Sequence, residues 1–292
     1  MKLYAPKYYK RFQCIADKCK HSCCVGWEID VDKPELEKYN SLSCGYAIAI
    51  RDSIDFTDTP HFILAENDKC PHLNESGLCK IILNVGEDCL CDICREHPRF
   101  YNFTNRGKEV GIGMSCEEAC RLILDSDDFD EMYIVGEIDG EADICEFDAL
   151  WLITKVYEIL KDNTIGFASK IEIICNYFAI FIDDERMTDL LSSLEYLDEA
   201  HKEFFIKNRF VGYPADKDLQ LARALAYFVF RHCSEACNID EFYSSLSFSV
   251  FCAKLIANLS IENDIYEVAR IVSEEIEYSE ENSEKIKLAY FK

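Results

Sequence analysis

The sequence predicts a mainly α protein with a small irregular β part: a Cys-rich, metal-binding N-terminal half packed on an all-helical C-terminal half. Three observations predict it. Twelve of the seventeen cysteines fall in residues 1–126. Residues 125–148 hold eleven Asp and Glu and no Lys or Arg. Beyond residue 147, apolar residues recur at three-to-four spacing, the period of a helix with one buried face. The expected organisation is a metal-binding domain over 1–124, an acidic connection over 125–146 and a helical domain over 147–292.

Within the first domain, Trp27-Glu28-Ile29-Asp30-Val31 alternates apolar and polar and reads as a short strand. Phe62-Ile63-Leu64 and Val110-Gly111-Ile112-Gly113-Met114 read as two more. Asp30 or Asp32 ahead of Pro34-Glu35-Leu36-Glu37 marks a helix start with proline in the first turn. The acidic run lacks the position-five oxygen ligand, the central glycine and the terminal glutamate of a calcium loop, so a solvated connection is the expectation. In the last domain the helical sets are Met187/Leu190/Leu191/Leu194/Leu197, Leu221/Leu225/Tyr227/Phe228/Val229, Phe242/Leu246/Val250/Ala253/Ile256 and Ile265/Val268/Val272/Ile276.

With 49% hydrophobic residues the chain can bury a substantial core, which excludes disorder and low-complexity polymers. The best apolar run, Ile171–Ile182, is broken by Glu172 and Asn176, and the first fourteen residues lack the apolar region of a signal peptide. A soluble cytoplasmic protein with no membrane partner is therefore expected. A net charge of −24 would repel a phosphate backbone, which argues against a nucleic-acid partner. The same charge would steer a basic substrate such as a lysine side chain, although solubility alone also accounts for it.

The cysteines carry the chemistry. An odd number of thiols in a long chain without a secretion signal points away from a disulfide framework and towards thiolates around a metal. The first group is Cys14, Cys19 and the adjacent Cys23-Cys24; the second is Cys70, Cys79, Cys89, Cys91 and Cys94. Only Cys91 and Cys94 form a Cys-x2-Cys knuckle, so a zinc ribbon is not matched. The bacterial ferredoxin run and the Cys-x3-Cys-x2-Cys triplet of radical enzymes are also missing. The surplus of thiols leans towards iron–sulfur, and so do Arg95 and Arg99, whose guanidinium groups can offset the charge of a tetrathiolate site. In extended backbone Cys23 and Cys24 would point apart, so only one is expected to ligate a given metal. His21, His72 and His97 lie in or beside the motifs as ligand or supporting candidates.

Cys19-x3-Cys23-Cys24-x2-Trp27, Cys70-Pro71-x-Leu73, Gly77-Leu78-Cys79 and Leu90-Cys91-x2-Cys94-Arg95-x2-Pro98-Arg99 closely resemble the flagellin lysine-N-methylase family. That family is related to the wider set of zinc- or iron-chelating Cys-x3-Cys-Cys proteins. Gly113-Met114-Ser115-Cys116 through Leu124 is similar to the family's Ser-Cys-x2-Ala-x-Arg-Leu stretch, and Tyr227-Phe228-Val229-Phe230-Arg231 to its aromatic Tyr-x2-Phe-Arg helix. The resemblance covers residues 8–124 well and the rest weakly.

The resemblance implies an iron–sulfur-dependent enzyme that moves a methyl group from S-adenosylmethionine to lysines of flagellin or a similar lysine-bearing protein. It places a 4Fe-4S cluster, or alternatively zinc, on four thiolates among Cys14, Cys19, Cys23, Cys24, Cys70, Cys79, Cys91 and Cys94. No Gly-rich strand–turn–helix fingerprint is present, which disfavours a Rossmann-type methyltransferase. The residues alone single out no catalytic base and leave two other readings open: a non-catalytic zinc- or iron-chelating module, and an iron–sulfur redox protein.

Overall fold

The computed structural model describes residues 1–138, 145–207, 210 and 212–290. Its elements run β1 (Lys2–Pro6), α1 (Lys33–Ser41), α2 (Tyr46–Asp52), β2 (Ile54–Asp55), β3 (His61–Phe62), α3 (Lys80–Val85), α4 (Asp92–Glu96), β4 (Arg99–Thr104), β5 (Gly107–Ile112), α5 (Glu117–Leu124) and β6 (Met132–Glu137). There follow α6 (Leu150–Leu160), α7 (Phe167–Tyr177), α8 (Asp184–Ser193), α9 (Glu199–Lys207), α10 (Asp218–Cys233), α11 (Ile239–Leu259), α12 (Ile265–Val272) and α13 (Glu280–Ala289). Helix takes 53% of the chain and strand 12%, so the mainly α class with a small β part holds.

Two compact units form, Gln13–His97 and Met1–Phe12 with Pro98–Lys292. This division differs from the expected boundaries of 1–124, 125–146 and 147–292. The reason is strand pairing between distant segments, which cysteine density does not report. β1 pairs parallel with β5 and antiparallel with β6, completing a sheet of order β4-β5-β1-β6. Residues 1–12 and 98–138 therefore belong with the helices. Much of the expected acidic connection is structured too. β6 lies within it, and Asp127, Asp128, Asp130 and Glu131 pair with Arg223, Arg11, Lys161 and Lys7. Residues 139–144 of that connection lie outside the described residues.

The Gln13–His97 unit has a small core of Ile29, Val31, Tyr39, Ile50, Ile54, Phe62, Ile81 and Leu90, closed by buried Cys70, Cys89 and Cys91. Asp32 caps α1 by accepting from the Glu35 N–H, with Pro34 in the first turn. The expected strand over Trp27–Val31 makes only a bridge at Asp30 and backbone bonds from Phe62 N–H to Ile29 and from Val31 N–H to Pro60. The strand expected at Phe62–Leu64 is the two-residue β3, paired with β2.

In the larger unit, α10 is buried on nearly every side from Leu221 to Phe230, as is α11 from Ser245 to Leu259. Among the described residues, α11, not Ile171–Ile182, is the long apolar helix. It meets the length and hydropathy of a membrane span, but 83% of that stretch is covered by the chain itself, as the central helix of a bundle is. Leu194 and Leu197 lie past the end of α8, and Leu197 is 73% exposed. After α12 the chain makes a π-helical turn over Ser273–Glu277, and α13 follows where the periodicity gave α12 as the last helix.

That π turn buries Glu277 in the helical core. His232 Nε2 donates to its Oε1 at 2.9 Å, Tyr227 Oη to its Oε2 at 2.9 Å, and Ser273 Oγ also to Oε2. Arg231 Nε lies 3.4 Å from Oε1. Gly113 makes room for this cluster, since a Cβ there would sit 2.0 Å from the Tyr278 hydroxyl and 2.8 Å from Arg231 Nη1. Gly113→Ala should therefore lower the thermal midpoint by an amount equivalent to about 1–3 kcal/mol.

Burial holds the His232 pKa below its ordinary value. Burial alone would raise the Glu277 carboxyl, yet Arg231 and His232 hold it below the ordinary range. Below pH ~6.5 an unfolded histidine takes a proton that the folded one refuses, so stability falls as the pH drops through that value. The Glu277 contribution is lost only as the pH falls through its lowered folded pKa. Thermal midpoints from pH 7.5 to 5 should fall, and His232→Gln should flatten that decline.

Candidate metal centre

Three stretches of the Gln13–His97 unit carry the thiols, and backbone bonds tie them together. Cys23 and Cys24 occupy a turn closed by Val25 N–H donating to Ser22 O at 3.2 Å. The turn is held against the Lys69–Cys70 stretch: Cys70 N–H donates to Cys24 O at 2.8 Å, and Gly26 N–H to Asp68 O at 3.0 Å. Gly26 has φ +93°, a conformation that favours glycine. Trp27 Nε1 donates to Cys23 O at 2.6 Å and fixes the other side.

Cys70 and Cys79 flank a tight loop. Leu73 bridges Cys79, and Asn74 Oδ1 accepts from the Ser76 and Leu78 N–H groups. Gly77, at φ +76°, makes the reversal. Cys91 begins α4, and Cys94 N–H donates to Cys91 O at 3.0 Å. Tyr39, fully buried, donates its hydroxyl to Cys89 O at 2.7 Å and lies 3.4 Å from Cys91 Sγ.

Electrostatic coupling links four of the thiols most completely. Cys24, Cys70, Cys79 and Cys94 interact as like charges in all six pairings. Cys91 acts on Cys70 and Cys94, and Cys23 feels Cys24, Cys14 and Cys94. Burial, then neighbouring thiols, pushes Cys70 up to about 12; burial also raises Cys79 and Cys94. Burial pushes Cys91 to about 11 against the Tyr39 hydrogen bond. The hydrogen bond shared by the Cys23 and Cys24 thiols raises Cys23 and holds Cys24 down to about 7. Soft donors that repel one another when ionised suit a thiophilic cation, whose charge reverses that penalty. These residues fit a thiolate-held metal or cluster.

Cys23 and Cys24 therefore do not point apart: they sit in a turn, not a strand, and their thiols meet. Of the eight expected ligands, Cys24, Cys70, Cys79 and Cys94 come together, with Cys91 and Cys23 beside them and Cys14 next to Cys23. Cys19 directs its thiol to His21 O at 3.0 Å. Arg95 is engaged by Glu35 at 2.7 Å, by Asp92 and by Leu90 O. Arg99 lies in the other unit, its Nε on Tyr9 Oη at 3.0 Å.

His72 is buried, with Nδ1 2.8 Å from Tyr46 Oη and Nε2 2.9 Å from Ser53 Oγ. Both ring nitrogens are committed, which makes it a core polar residue and not a ligand. His97 packs edge-on against Trp27. All ten cysteines of this unit are free thiols; the described disulfide joins Cys145 to Cys237 in the helical unit, a pairing the sequence gave no sign of.

Sequence reasoning missed Glu277, because a single acid in a chain with fifty-five carries no signal. Cys24→Ser or Cys94→Ser should remove metal and lower the thermal midpoint together, whereas exposed Cys44→Ser should do neither. His72→Gln should cost about 1–3 kcal/mol through its orphaned hydroxyl partners while keeping the metal. Metal analysis beside thermal melts separates these outcomes.

Over 138 residues the chain is 26% identical to the lysine-N-methylase of Salmonella typhimurium strain LT2, covering 42% of this chain and 32% of that protein. It is 25% identical, with the same coverage, to the lysine-N-methylase of Salmonella choleraesuis. The flagellar biosynthetic protein FliU of Salmonella muenchen is 25% identical over 130 residues, 42% of this chain and 77% of that protein. The chain spans about a third of the length of the two lysine-N-methylases. No family profile and no solved structure matches it. Over the shared stretch, these relatives support a relationship between this chain and the flagellin lysine-N-methylase family.

Proposed function

We propose that the chain is an iron–sulfur-dependent protein-lysine N-methyltransferase that takes its methyl group from S-adenosylmethionine and acts on flagellin in the cytoplasm. The similarity to lysine-N-methylases carries this reading. The thiol set supports its metal part, with Cys24, Cys70, Cys79 and Cys94 as the ligands. The unit offers more free thiols than the four that one zinc takes, which favours a multi-iron cluster over a single zinc.

A cluster held by Cys24, Cys70, Cys79 and Cys94 would supply the chemistry that binds and orients S-adenosylmethionine. The residues have separate tasks. A lysine amine must be neutral to accept a methyl group, and its unperturbed pKa is ~10.4. A site that buries the amine beside aromatic rings lowers that value, and a carboxylate or phenol then takes the proton. The rest of the chain has to exclude water while the amine and sulfonium are aligned.

Anaerobically reconstituted protein should be brown, contain iron and sulfide, and bind S-adenosylmethionine. It should then add methyl-mass increments to lysines of its own organism's flagellin, read by mass spectrometry, and lose this in Cys24→Ser. Zinc in place of iron with no methylation would establish the chelating module instead. Iron and sulfide without S-adenosylmethionine binding would establish a redox protein.

A further inference from the structure

We infer that Cys145 and Cys237 are a redox-active pair: small disulfides of the glutathione class close it, small thiols open it, and the closed bond straps the chain ahead of α6 onto the corner between α10 and α11. The bonded residues are 92 positions apart, and both lie in the Met1–Phe12 and Pro98–Lys292 unit. The same chain keeps ten free thiols in Gln13–His97, with Cys14, Cys23 and Cys44 among them exposed. Thiols that are to hold a metal need surroundings that keep them reduced. In such surroundings a disulfide is transient, serving catalysis or redox sensing. The inference rests on that metal-binding reading of the thiols and not on methyl transfer.

Each cysteine is held in place by hydrogen bonds that do not pass through the sulfurs. Asn105, in the turn between β4 and β5, accepts the Cys145 N–H through Oδ1 at 2.9 Å. Its Nδ2 donates to Cys145 O and to Phe147 O, both at 3.0 Å. On the other side, Glu241 Oε2 accepts the Cys237 N–H at 2.8 Å, and Asn238 caps α11 by accepting the Glu241 N–H at 2.9 Å. The two Cα atoms stand 5.5 Å apart, a separation that a disulfide spans without backbone movement. Reduction therefore leaves two thiols already in position to close again.

Access decides which thiols react. Cys237 is exposed and Cys145 half-buried, whereas Cys120, Cys233 and Cys252 are at most 1% exposed. The Cys237 thiolate attacks one sulfur of oxidised glutathione, whose S–S bond breaks as a mixed disulfide forms. The departing glutathione thiolate takes up the proton that Cys237 gave to water. The Cys145 thiolate then attacks Cys237 Sγ, and the second glutathione leaves in the same way. Two protein thiols lose two electrons, and one glutathione disulfide becomes two thiols. With the bond closed, the stretch beginning at Cys145 is anchored by Asn105 and by Cys237. With it open, Asn105 alone holds it.

The test uses the full chain, held under native anaerobic conditions in buffers of oxidised or reduced glutathione. Differential alkylation with peptide mapping reads the thiols, and amide hydrogen exchange reads residues 145–149. A linked Cys145–Cys237 peptide is expected in oxidised glutathione and its reversible loss in reduced glutathione, with Cys120, Cys233 and Cys252 unlinked in both. Exchange over residues 145–149 should be about tenfold or more faster in the reduced form. Cys145→Ser should trap one glutathione on Cys237 and show the fast exchange in both buffers. If that variant fails to fold, the two redox forms of the unaltered chain still decide the matter. A linked peptide that never forms, one that reduced glutathione opens only after unfolding, or exchange indifferent to the bond would each overturn the inference. None of these readings requires S-adenosylmethionine or flagellin, so failure of the methylase proposal is recognised separately.

Discussion

The backbone bond from Cys70 N–H to Cys24 O does more than close a turn. It brings two cysteines forty-six positions apart into one locus, where the Cys79 loop and the Cys91–Cys94 turn join them. The unit gathering them has about 85 residues and a core of modest size. Chains this short bury a smaller fraction of their surface, and many rely on a staple. A thiolate-bound metal is such a staple, contributing ~10–16 kcal/mol for structural zinc in small peptides. The thiols that make the unit chemically distinctive would then also be its main source of stability. Without a cation, burial and neighbouring thiols keep Cys70, Cys79 and Cys94 protonated, so a metal has to displace their protons.

What the sequence reveals follows from how local each interaction is. α10 and α11 are legible because their burial repeats every three or four residues. The start of α1 is legible because Asp32 and Pro34 act within a single turn. The Cys91-x2-Cys94 knuckle shows for the same reason. β6 was hidden: Met132–Val135 is a strand sequence inside an acidic run, and its reason for being a strand is β1, over a hundred residues away. The unit boundary was hidden for the same reason. Arg95 sits beside Cys94 in sequence, yet Glu35, sixty positions earlier, takes its guanidinium. Nor can spacing say whether Cys23 and Cys24 diverge or meet, because that depends on turn against strand.

The larger unit shows what it takes to bury a carboxylate in an apolar bundle. Glu277 is reached by an imidazole, a phenol, a serine hydroxyl and a guanidinium, so its charge is shared before it meets hydrocarbon. The π turn is what aims it there, since the added residue per turn rotates the side chain off the regular helical face. Tyr227 extends the network to the strand end, accepting from the Met114 N–H at 3.2 Å and from Arg231 Nη1 at 3.0 Å. Gly113 is then needed for lack of volume, not for its backbone freedom.

The acidic groups of this chain that lie out of free solvent fall in an order of increasing need. Glu277 has all the donors it can use and asks for nothing from outside. Glu109 has one oxygen engaged by Arg106 and one without a partner among the described residues. The thiols of Cys24, Cys70, Cys79 and Cys94 have one another, and each disfavours ionisation of the next. Their deficit calls for a multivalent, sulfur-seeking cation, and no side chain can substitute because a lysine or arginine brings only one charge and no affinity for sulfur. The chain does spend arginines on buried acids, as Arg231 and Arg106 show. Arg95, only one residue from the thiol set, pairs with Glu35 and Asp92.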